Sequence, residues 1–214
     1  LSLINQEEYR NQMYQNISHD FKTPLTVIKS YIEAVEDNVE DSNTALQVIK
    51  QQTEKLENKV HSLLYLNKLD YLKNSKNITN ELVDMEQIIR DEVDKFKFHK
   101  KEINFIVDVD PKSKYYGTME HWETIFDNLL SNFMRYTTTT IKITAKQNKL
   151  TLYNDGEHIA DDFLEGIFTP FRKGIKGEFG LGLSIVKKTL NIMNYDITIK
   201  NEKKGVSFII KRNS

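Results

Sequence analysis

The strongest constraint on the fold is an apolar stripe in the first part of the chain. Six apolar residues recur there at spacings of four, four, three, four and three: Ile17, Phe21, Leu25, Ile28, Ile32 and Val35. This spacing places all six on one face of an amphipathic helix. We predict that the helix runs from about residue 3 to about residue 39.

A second apolar repeat, over residues 46–69, predicts another long helix. Asp41, Ser42 and Asn43 are candidate N-caps for it, so the connection should be short. Two long helices joined in this way form an antiparallel hairpin, which cannot cover two wide apolar stripes alone. Two copies around a twofold axis form a four-helix bundle. We therefore expect a homodimer, and a coiled-coil spacer without chemistry is the alternative.

A histidine and a proline stand out on the first helix. At about 100° per residue, His19 lies about 200° from Ile17, so its imidazole should face water. Most exposed helical histidines have no role. However, Pro24 follows within the same helix, where proline costs about 3 kcal/mol. We expect a purposeful distortion beside a solvent-facing His19–Asp20 pair, and an ordinary helix bend is the alternative.

The composition excludes several classes of function. The chain has 214 residues and a formal net charge of −1, so it has no basic excess for binding nucleic acid. The absence of cysteine removes disulfides, thiolate metal sites and cysteine nucleophiles. No apolar run is long enough to span a bilayer.

The rest of the chain alternates between helical and strand patterns. A polar stretch over residues 74–80 indicates a linker between domains covering residues 1–73 and 81–214. In the second domain we predict helices over residues 85–98, 122–136 and 183–193, and strands over residues 103–109, 138–145, 150–153, 196–200 and 206–211. This order fits an α/β sandwich with helices on one face of the sheet, so the whole chain is multidomain, α followed by α+β.

Glycines and carboxamides concentrate in the second domain. Six of the eight glycines fall between positions 156 and 182, and the last of them leads into a predicted helix. A glycine loop before a helix N-terminus can cradle phosphate, whereas a flexible lid without a ligand is the alternative. Asn128 and Asn132 share one helix face, where their alternative role is hydrogen bonding at the helix surface.

Five short segments together resemble the sensor histidine kinases. Residues 18–25 resemble the phospho-acceptor box of that family. Residues 127–137 resemble the N box of its ATP-binding domain, a relative of the Hsp90 and gyrase ATPases, and residues 154–159 resemble its first glycine box. Residues 168–171 match the F box and residues 180–183 the second glycine box. All five occur in the family's order.

The resemblance assigns roles in the first domain to three residues. His19 is expected to be the phosphorylated nucleophile, and Asp20 its acid–base partner. Thr23 is expected to orient water when phosphate is removed from the partner protein. An imidazole keeps a nitrogen lone pair at neutral pH, so such an attack is chemically reasonable.

In the second domain the resemblance implies a site for ATP and Mg²⁺. Asn132 would supply the Mg²⁺ ligand, with Asn128 beside it, and the remaining expected nucleotide contacts are Arg135, Tyr136, Asn154, Asp155, Gly156, Ile159, Phe171, Lys173, Gly180, Leu181, Gly182 and Leu183. Asn154 stands where the family holds an adenine-binding aspartate, and Asp155 is the fallback. His158 and Phe133 replace small residues of the family, which leaves the ATP affinity open.

The resemblance thus implies the cytoplasmic catalytic core of a membrane sensor. It would phosphorylate His19 from ATP as a homodimer and pass the phosphoryl group to an aspartate of a response regulator receiver domain. A phosphatase activity that removes phosphate from this partner is an additional possibility. A missing N-terminal region would hold the membrane helices. Two rivals stay open: an ATPase that uses hydrolysis for conformational change, and a phosphatase-dominant or non-catalytic dimeric scaffold with weak ATP binding.

Overall fold

The computed structural model describes residues 3–72, 81–97, 102–172, 174 and 180–213. The chain divides into two compact units, Leu1–Tyr65 and Leu66–Ser214. The predicted linker over residues 74–80 lies outside the described residues. Within the described part of the chain, no helix has the length and apolar character needed to cross a membrane.

The two long helices predicted at the start of the chain are confirmed. They are α1 (Leu3–Glu36) and α2 (Ser42–Leu72). Of the three candidate N-caps for α2, Asp41 fills the position, because its Oδ2 accepts hydrogen bonds from the backbone N–H groups of Asn43 and Thr44, both at 3.0 Å. A carboxylate there also interacts favourably with the positive end of the helix dipole.

The faces of α1 differ from the sequence-based expectation. Asp20 is 5% exposed and Pro24 is also buried, whereas Leu25 of the apolar stripe is 52% exposed. The expectation that Asp20 shares the solvent-facing side of His19 is therefore wrong. The physical reason is that α2 covers the side of α1 that carries Asp20, and Lys59 of α2 donates a hydrogen bond to the Asp20 backbone.

The second unit is built on a five-stranded sheet. Its strands are β2 (Asn104–Val109), β4 (Thr140–Lys146), β5 (Lys149–Asn154), β6 (Tyr195–Asn201) and β7 (Val206–Arg212), in the spatial order β2-β4-β5-β7-β6. The β2–β4 pair is parallel, and the other pairs are antiparallel. Two short strands, β1 (Glu81–Val83) and β3 (Tyr115–Gly117), form a separate antiparallel pair.

Helices pack against this sheet and bury its inward-facing residues. They are α3 (Met85–Lys97), α4 (Met119–Tyr136) and α6 (Gly182–Ile192), and α5 (Asp161–Leu164) is a short additional turn. On β4 the alternate residues Ile141, Ile143 and Ala145 are fully buried, as the period of two in a half-covered strand requires. The α/β prediction is confirmed, although β1, β3 and α5 are too short to leave a periodic pattern.

Glu92 on α3 gives the second unit a pH-dependent stability. Its side chain is 1% exposed and pairs with Lys95. Burial raises the pKa of Glu92, and the hydrogen bond from Lys95 opposes this only partly. A raised pKa means that the folded state binds the proton more tightly than the unfolded state. The contribution of Glu92 to folding stability is therefore fully present below its pKa in the unfolded state. It is lost as the pH rises through its pKa in the folded state.

We expect Glu92→Gln to remove the loss of stability that the ionisation of Glu92 causes as the pH rises. The free energy of unfolding of the variant minus that of the wild type should be more positive at pH 7 than at pH 4. Urea unfolding of both proteins at both pH values measures this difference. Asp94→Asn is the matched control, because Asp94 also pairs with a lysine three residues later but is 65% exposed. An equal effect of the two substitutions at both pH values would contradict this explanation.

Candidate functional site

His19, the expected phospho-acceptor, lies on the exposed side of α1. Its side chain is 81% exposed, and its Nδ1 lies 3.7 Å from Asp20 Oδ1. This distance is too long for a hydrogen bond, but it shows which ring nitrogen faces the carboxylate. The opposite nitrogen, Nε2, lies on the side of the ring away from this carboxylate oxygen.

The backbone that carries His19 receives hydrogen bonds from two side chains. The hydroxyl of Thr23 donates to the carbonyl of His19 at 3.2 Å. Pro24 has no N–H, so the carbonyl of Asp20, four residues earlier, lacks its usual helical donor. The ammonium group of Lys59 donates to this carbonyl at 2.7 Å. Helix α1 continues through Pro24, so the proline does not end the helix.

In the second unit, Asn128 connects α4 to the start of α6. Its Nδ2 donates to the carbonyl of Thr124 at 2.8 Å. Its Oδ1 lies against Gly182, where an added Cβ would stand 3.0 Å from this oxygen. Asn132, one turn later, is half-buried, and no hydrogen bond within the described ranges uses its amide. Asn132 therefore offers an oxygen ligand, while Asn128 is partly committed to the fold.

The first glycine box packs against the end of α4. A Cβ at Gly156 would stand 2.2 Å from the carbonyl oxygen of Tyr136, so no side chain fits there. Gly174 lies on the other side of the same tyrosine, with its added Cβ 3.0 Å from the Tyr136 hydroxyl oxygen. Tyr136, in the N box, therefore lies beside both the first glycine box and Gly174, which follows the F box. Arg135 beside Tyr136 is exposed.

The F box and the second glycine box are joined through their backbones. Phe171 N–H donates to the carbonyl of Gly180 at 2.8 Å. Both residues have positive φ, 65° for Phe171 and 71° for Gly180, and a Cβ at Gly180 would stand 2.7 Å from the Phe171 carbonyl carbon. Leu181 is buried and Leu183 is half-buried against the core. Lys173 and residues 175–179 lie outside the described residues.

Asp155 is a structural anchor for the start of β4. Its carboxylate accepts hydrogen bonds from the backbone N–H groups of Thr138, Thr139 and Thr140, and from the Thr139 hydroxyl. Burial by itself would raise its pKa, but these donors outweigh burial and hold the pKa at about 2. The neighbouring Asn154 is 4% exposed, and no hydrogen bond between residues that the structure describes uses its side chain. Asn154 is therefore the better candidate for recognising adenine.

We expect Asp155→Ala to destabilise the second unit by about 1–2 kcal/mol at pH 7, because several backbone donors lose a charged acceptor. The folded pKa is below the unfolded one, so the stabilisation is present above pH 4 or so and is lost as pH falls toward 2. Urea unfolding at pH 7 and pH 3 measures this change. The exposed Asp161, changed to alanine, is the control. If the difference in free energy of unfolding between the wild type and D155A were the same at pH 3 as at pH 7, the prediction would be contradicted.

The structure describes the surroundings of Phe133 and His158, two of the three departures from the family pattern. Phe133 is buried and packs edge-to-face against Phe208, with ring centroids 5.1 Å apart, so it belongs to the core. His158 is exposed. Ile159 is fixed by Asn201, whose side chain exchanges two hydrogen bonds with its backbone. Sequence reasoning missed Asn201 and Lys59, because both lie far along the chain from the segments they support.

A cleft of about 560 Å³ lies at the other end of the sheet from these boxes. Its lining includes Lys114, Lys149, Lys211 and Arg212. Lys149 is the first residue of β5, whereas Asn154 is the last. The cleft is therefore distinct from the candidate nucleotide site.

Comparison with known families covers most of the chain. Residues 9–72 match the family described as His Kinase A (phospho-acceptor) domain. Residues 117–212 match the family described as histidine kinase-, DNA gyrase B- and HSP90-like ATPase. His19 falls in the first match, and the four boxes around Asn132, Gly156, Phe171 and Gly182 fall in the second.

Curated relatives are sensor kinases. The chain is 38% identical to sensor histidine kinase CssS of Bacillus subtilis (strain 168) over 215 residues, which cover 97% of this chain and 48% of that protein. It is 30% identical to sensor protein kinase WalK of Staphylococcus haemolyticus (strain JCSC1435), covering 95% of this chain and 36% of WalK. The chain thus spans about half or less of the length of these relatives.

Solved structures establish the same fold. Histidine kinase AdeS of Acinetobacter baumannii superposes with a TM-score of 0.75 at 21% identity, covering 91% of this chain and 97% of AdeS. Histidine kinase ThkA in complex with response regulator protein TrrA gives 0.74 at 22% identity, covering 96% of this chain and 62% of that one. Full-length ShkA in complex with AMPPNP gives 0.65 at 20% identity, covering 93% and 45%.

Proposed function

Because the chain belongs to the sensor histidine kinase family, we propose that it phosphorylates His19 with the terminal phosphate of ATP. The observation that carries this proposal is the position of the His19 ring. The ring is exposed, Nδ1 faces Asp20, and Nε2 is open to an incoming phosphate. No other exposed histidine in the described ranges lies in a phospho-acceptor box.

In the proposed reaction, the lone pair of His19 Nε2 forms a bond to the terminal phosphorus of ATP. The bond between this phosphorus and the bridging oxygen breaks, and ADP leaves with that electron pair. The ring becomes positively charged as the N–P bond forms, and the Asp20 carboxylate beside Nδ1 stabilises this charge and takes up the ring proton. Asp20 can do so because it lies on the Nδ1 side.

The residues of the second unit fit a bound nucleotide. The donor set comprises a half-buried carboxamide, Asn132, and a glycine that begins α6, where backbone N–H groups lack helical partners. We assign the adenine contact to Asn154, the ring contact to Tyr136 and the phosphate contact to Arg135. Asn132 would hold Mg²⁺, which neutralises phosphate charge when bound. Gly156, Gly180 and Gly182 would let the backbone approach the ligand closely.

The site favours transfer over hydrolysis. Activating water requires a base, and an amide such as that of Asn128 is a poor one. The nitrogen of Asn128 is also engaged with the carbonyl of Thr124. We therefore favour phosphorylation of His19 over the rival of a superfamily ATPase.

We further propose that the protein acts as a homodimer and passes its phosphate to a receiver domain. Leu25, Ile32, Leu46 and Leu64 are between 45% and 64% exposed in the single chain, and a second hairpin would cover such a surface. ThkA, which has the same fold, forms a complex with a response regulator. We propose Thr23 as the residue that orients water in a phosphatase reaction. Attachment to a cell membrane, with this core on the cytoplasmic side, is likewise part of the proposal.

Incubation of the protein with γ-labelled ATP and Mg²⁺ tests the proposed function against its rivals. Acid-labile and base-stable label on the protein is the expected result. Release of free phosphate without protein label would favour the ATPase. If the protein takes up no label and releases no free phosphate, the result would favour a phosphatase-dominant or non-catalytic scaffold.

A further inference from the structure

The hydrogen bond between Lys59 and Asp20 resolves a problem that Pro24 creates. In an uninterrupted helix, the carbonyl of residue 20 accepts the N–H of residue 24. Pro24 has no N–H, and both Pro24 and Asp20 are buried, so water has little access to this carbonyl. The Lys59 ammonium donates to it at 2.7 Å from the other helix.

We propose that Lys59 is a positioning residue for the phospho-acceptor. Its ammonium replaces the amide hydrogen that Pro24 lacks and thereby fixes the backbone of Asp20, to which His19 is directly bonded along the chain. Hydrogen bonds from a charged donor are among the strongest in proteins, so this bond can hold the turn against distortion. The consequence for function rests on the proposed phosphorylation of His19.

The bond also fixes which way the two side chains point. Asp20 must stay buried and His19 exposed for Nδ1 to face the carboxylate while Nε2 faces outward. A small rotation of this turn would separate the two groups, because His19 Nδ1 and Asp20 Oδ1 are already 3.7 Å apart. Thr23 holds the neighbouring carbonyl of His19 from within α1, whereas Lys59 holds that of Asp20 from α2. The geometry of His19 therefore depends on the alignment of the two helices.

A double-mutant cycle with Pro24 tests this role. Lys59→Met keeps most of the length of the side chain but removes the donor, and Pro24→Ala restores the amide hydrogen. In the Pro24 background, we expect K59M to lower the rate constant of His19 phosphorylation about tenfold, with the KM for ATP unchanged. In the P24A background, where the backbone N–H of residue 24 supplies the donor, K59M should change the rate constant of His19 phosphorylation by less than about twofold. Lys59→Arg should restore most of the rate.

Lys55→Met is the matched control, because Lys55 is exposed one turn earlier on α2 and K55M makes the same chemical change. A loss that is equal in both Pro24 backgrounds would overturn the proposal, because it would show that Lys59 acts other than through the Asp20 carbonyl. A K59M rate equal to that of the wild type would overturn it as well.

A spectroscopic measurement separates this proposal from the proposed function. In the full chain labelled with ¹³C-histidine, the His19 ring resonance is identified by its loss in His19→Gln. We expect K59M to shift this resonance, and K59M in the P24A background to leave it where P24A alone places it. If the wild type takes no phosphate, the proposed function fails, but this measurement still decides whether Lys59 positions His19. An unshifted resonance in K59M overturns the positioning role.

Discussion

The variant His19→Gln is expected to lose all acid-labile phosphorylation, a fall of at least about a thousandfold in the labelling rate. Glutamine has no ring nitrogen with a lone pair for the terminal phosphorus, and no other residue can replace it in the acceptor box. The affinity for ATP should be unchanged, because His19 lies in the first unit and the nucleotide residues lie in the second. The rate is measured with γ-labelled ATP, and the affinity with a fluorescent nucleotide.

The controls for this variant are His61→Gln and His158→Gln, because both of these histidines are exposed. Each control should keep labelling within about twofold of the wild type. Acid-labile label that persists in H19Q, or that disappears in H61Q alone, would show that another histidine is the acceptor. Loss of ATP binding in H19Q would show that the substitution had disturbed more than the acceptor.

The second large effect is expected for Asn132→Ala. The labelling rate should fall by at least about a hundredfold, because the site would lose a ligand that helps to neutralise phosphate charge. The fold should be retained, since Asn132 is half-buried and no hydrogen bond in the described part of the chain uses its amide. Labelling rates at several Mg²⁺ concentrations measure the effect, and the Mg²⁺ requirement should increase.

Asn11→Ala is the matched control, because Asn11 is an exposed helical asparagine of the first unit. We expect its labelling rate to equal that of the wild type. If N132A labelled at the wild-type rate with the same Mg²⁺ requirement, the proposed metal ligand would be wrong. If N132A were unfolded by circular dichroism, Asn132→Asp would provide the test, because it keeps an oxygen ligand.

The long helices and the longer strands could be predicted because burial repeats along them. The period of α1 is set by residues such as Phe21 and Ile28, and that of β4 by alternate residues such as Ile143. β1 and β3 could not be predicted, because three residues contain no repeat. The placement of Asp20 was wrong for a different reason. A single-helix projection does not include α2, which covers that side of α1.

The motifs supplied the residues of the candidate site, but not the neighbouring residues that hold them in place. The glycine at position 156 could be identified from its box, but only the structure reveals that the Tyr136 carbonyl excludes a side chain there. Asp155 was expected as a fallback for adenine, and its hydrogen bonds to the start of β4 depend on a strand pairing that the sequence does not contain. Pro24 indicated a distortion of the first helix, but nothing in the sequence connected Lys59 to it.

The central claim is that the outermost phosphate of ATP is transferred to one imidazole of this chain. The most direct test is to incubate the full chain with Mg²⁺ and either γ-labelled or α-labelled ATP, and to locate the label after trypsin digestion at alkaline pH. We predict acid-labile label from γ-labelled ATP only, on the peptide from Asn11 to Lys22, in which His19 is the single histidine. Label that is acid-stable, that comes from the α position, or that lies on any other peptide would contradict the claim.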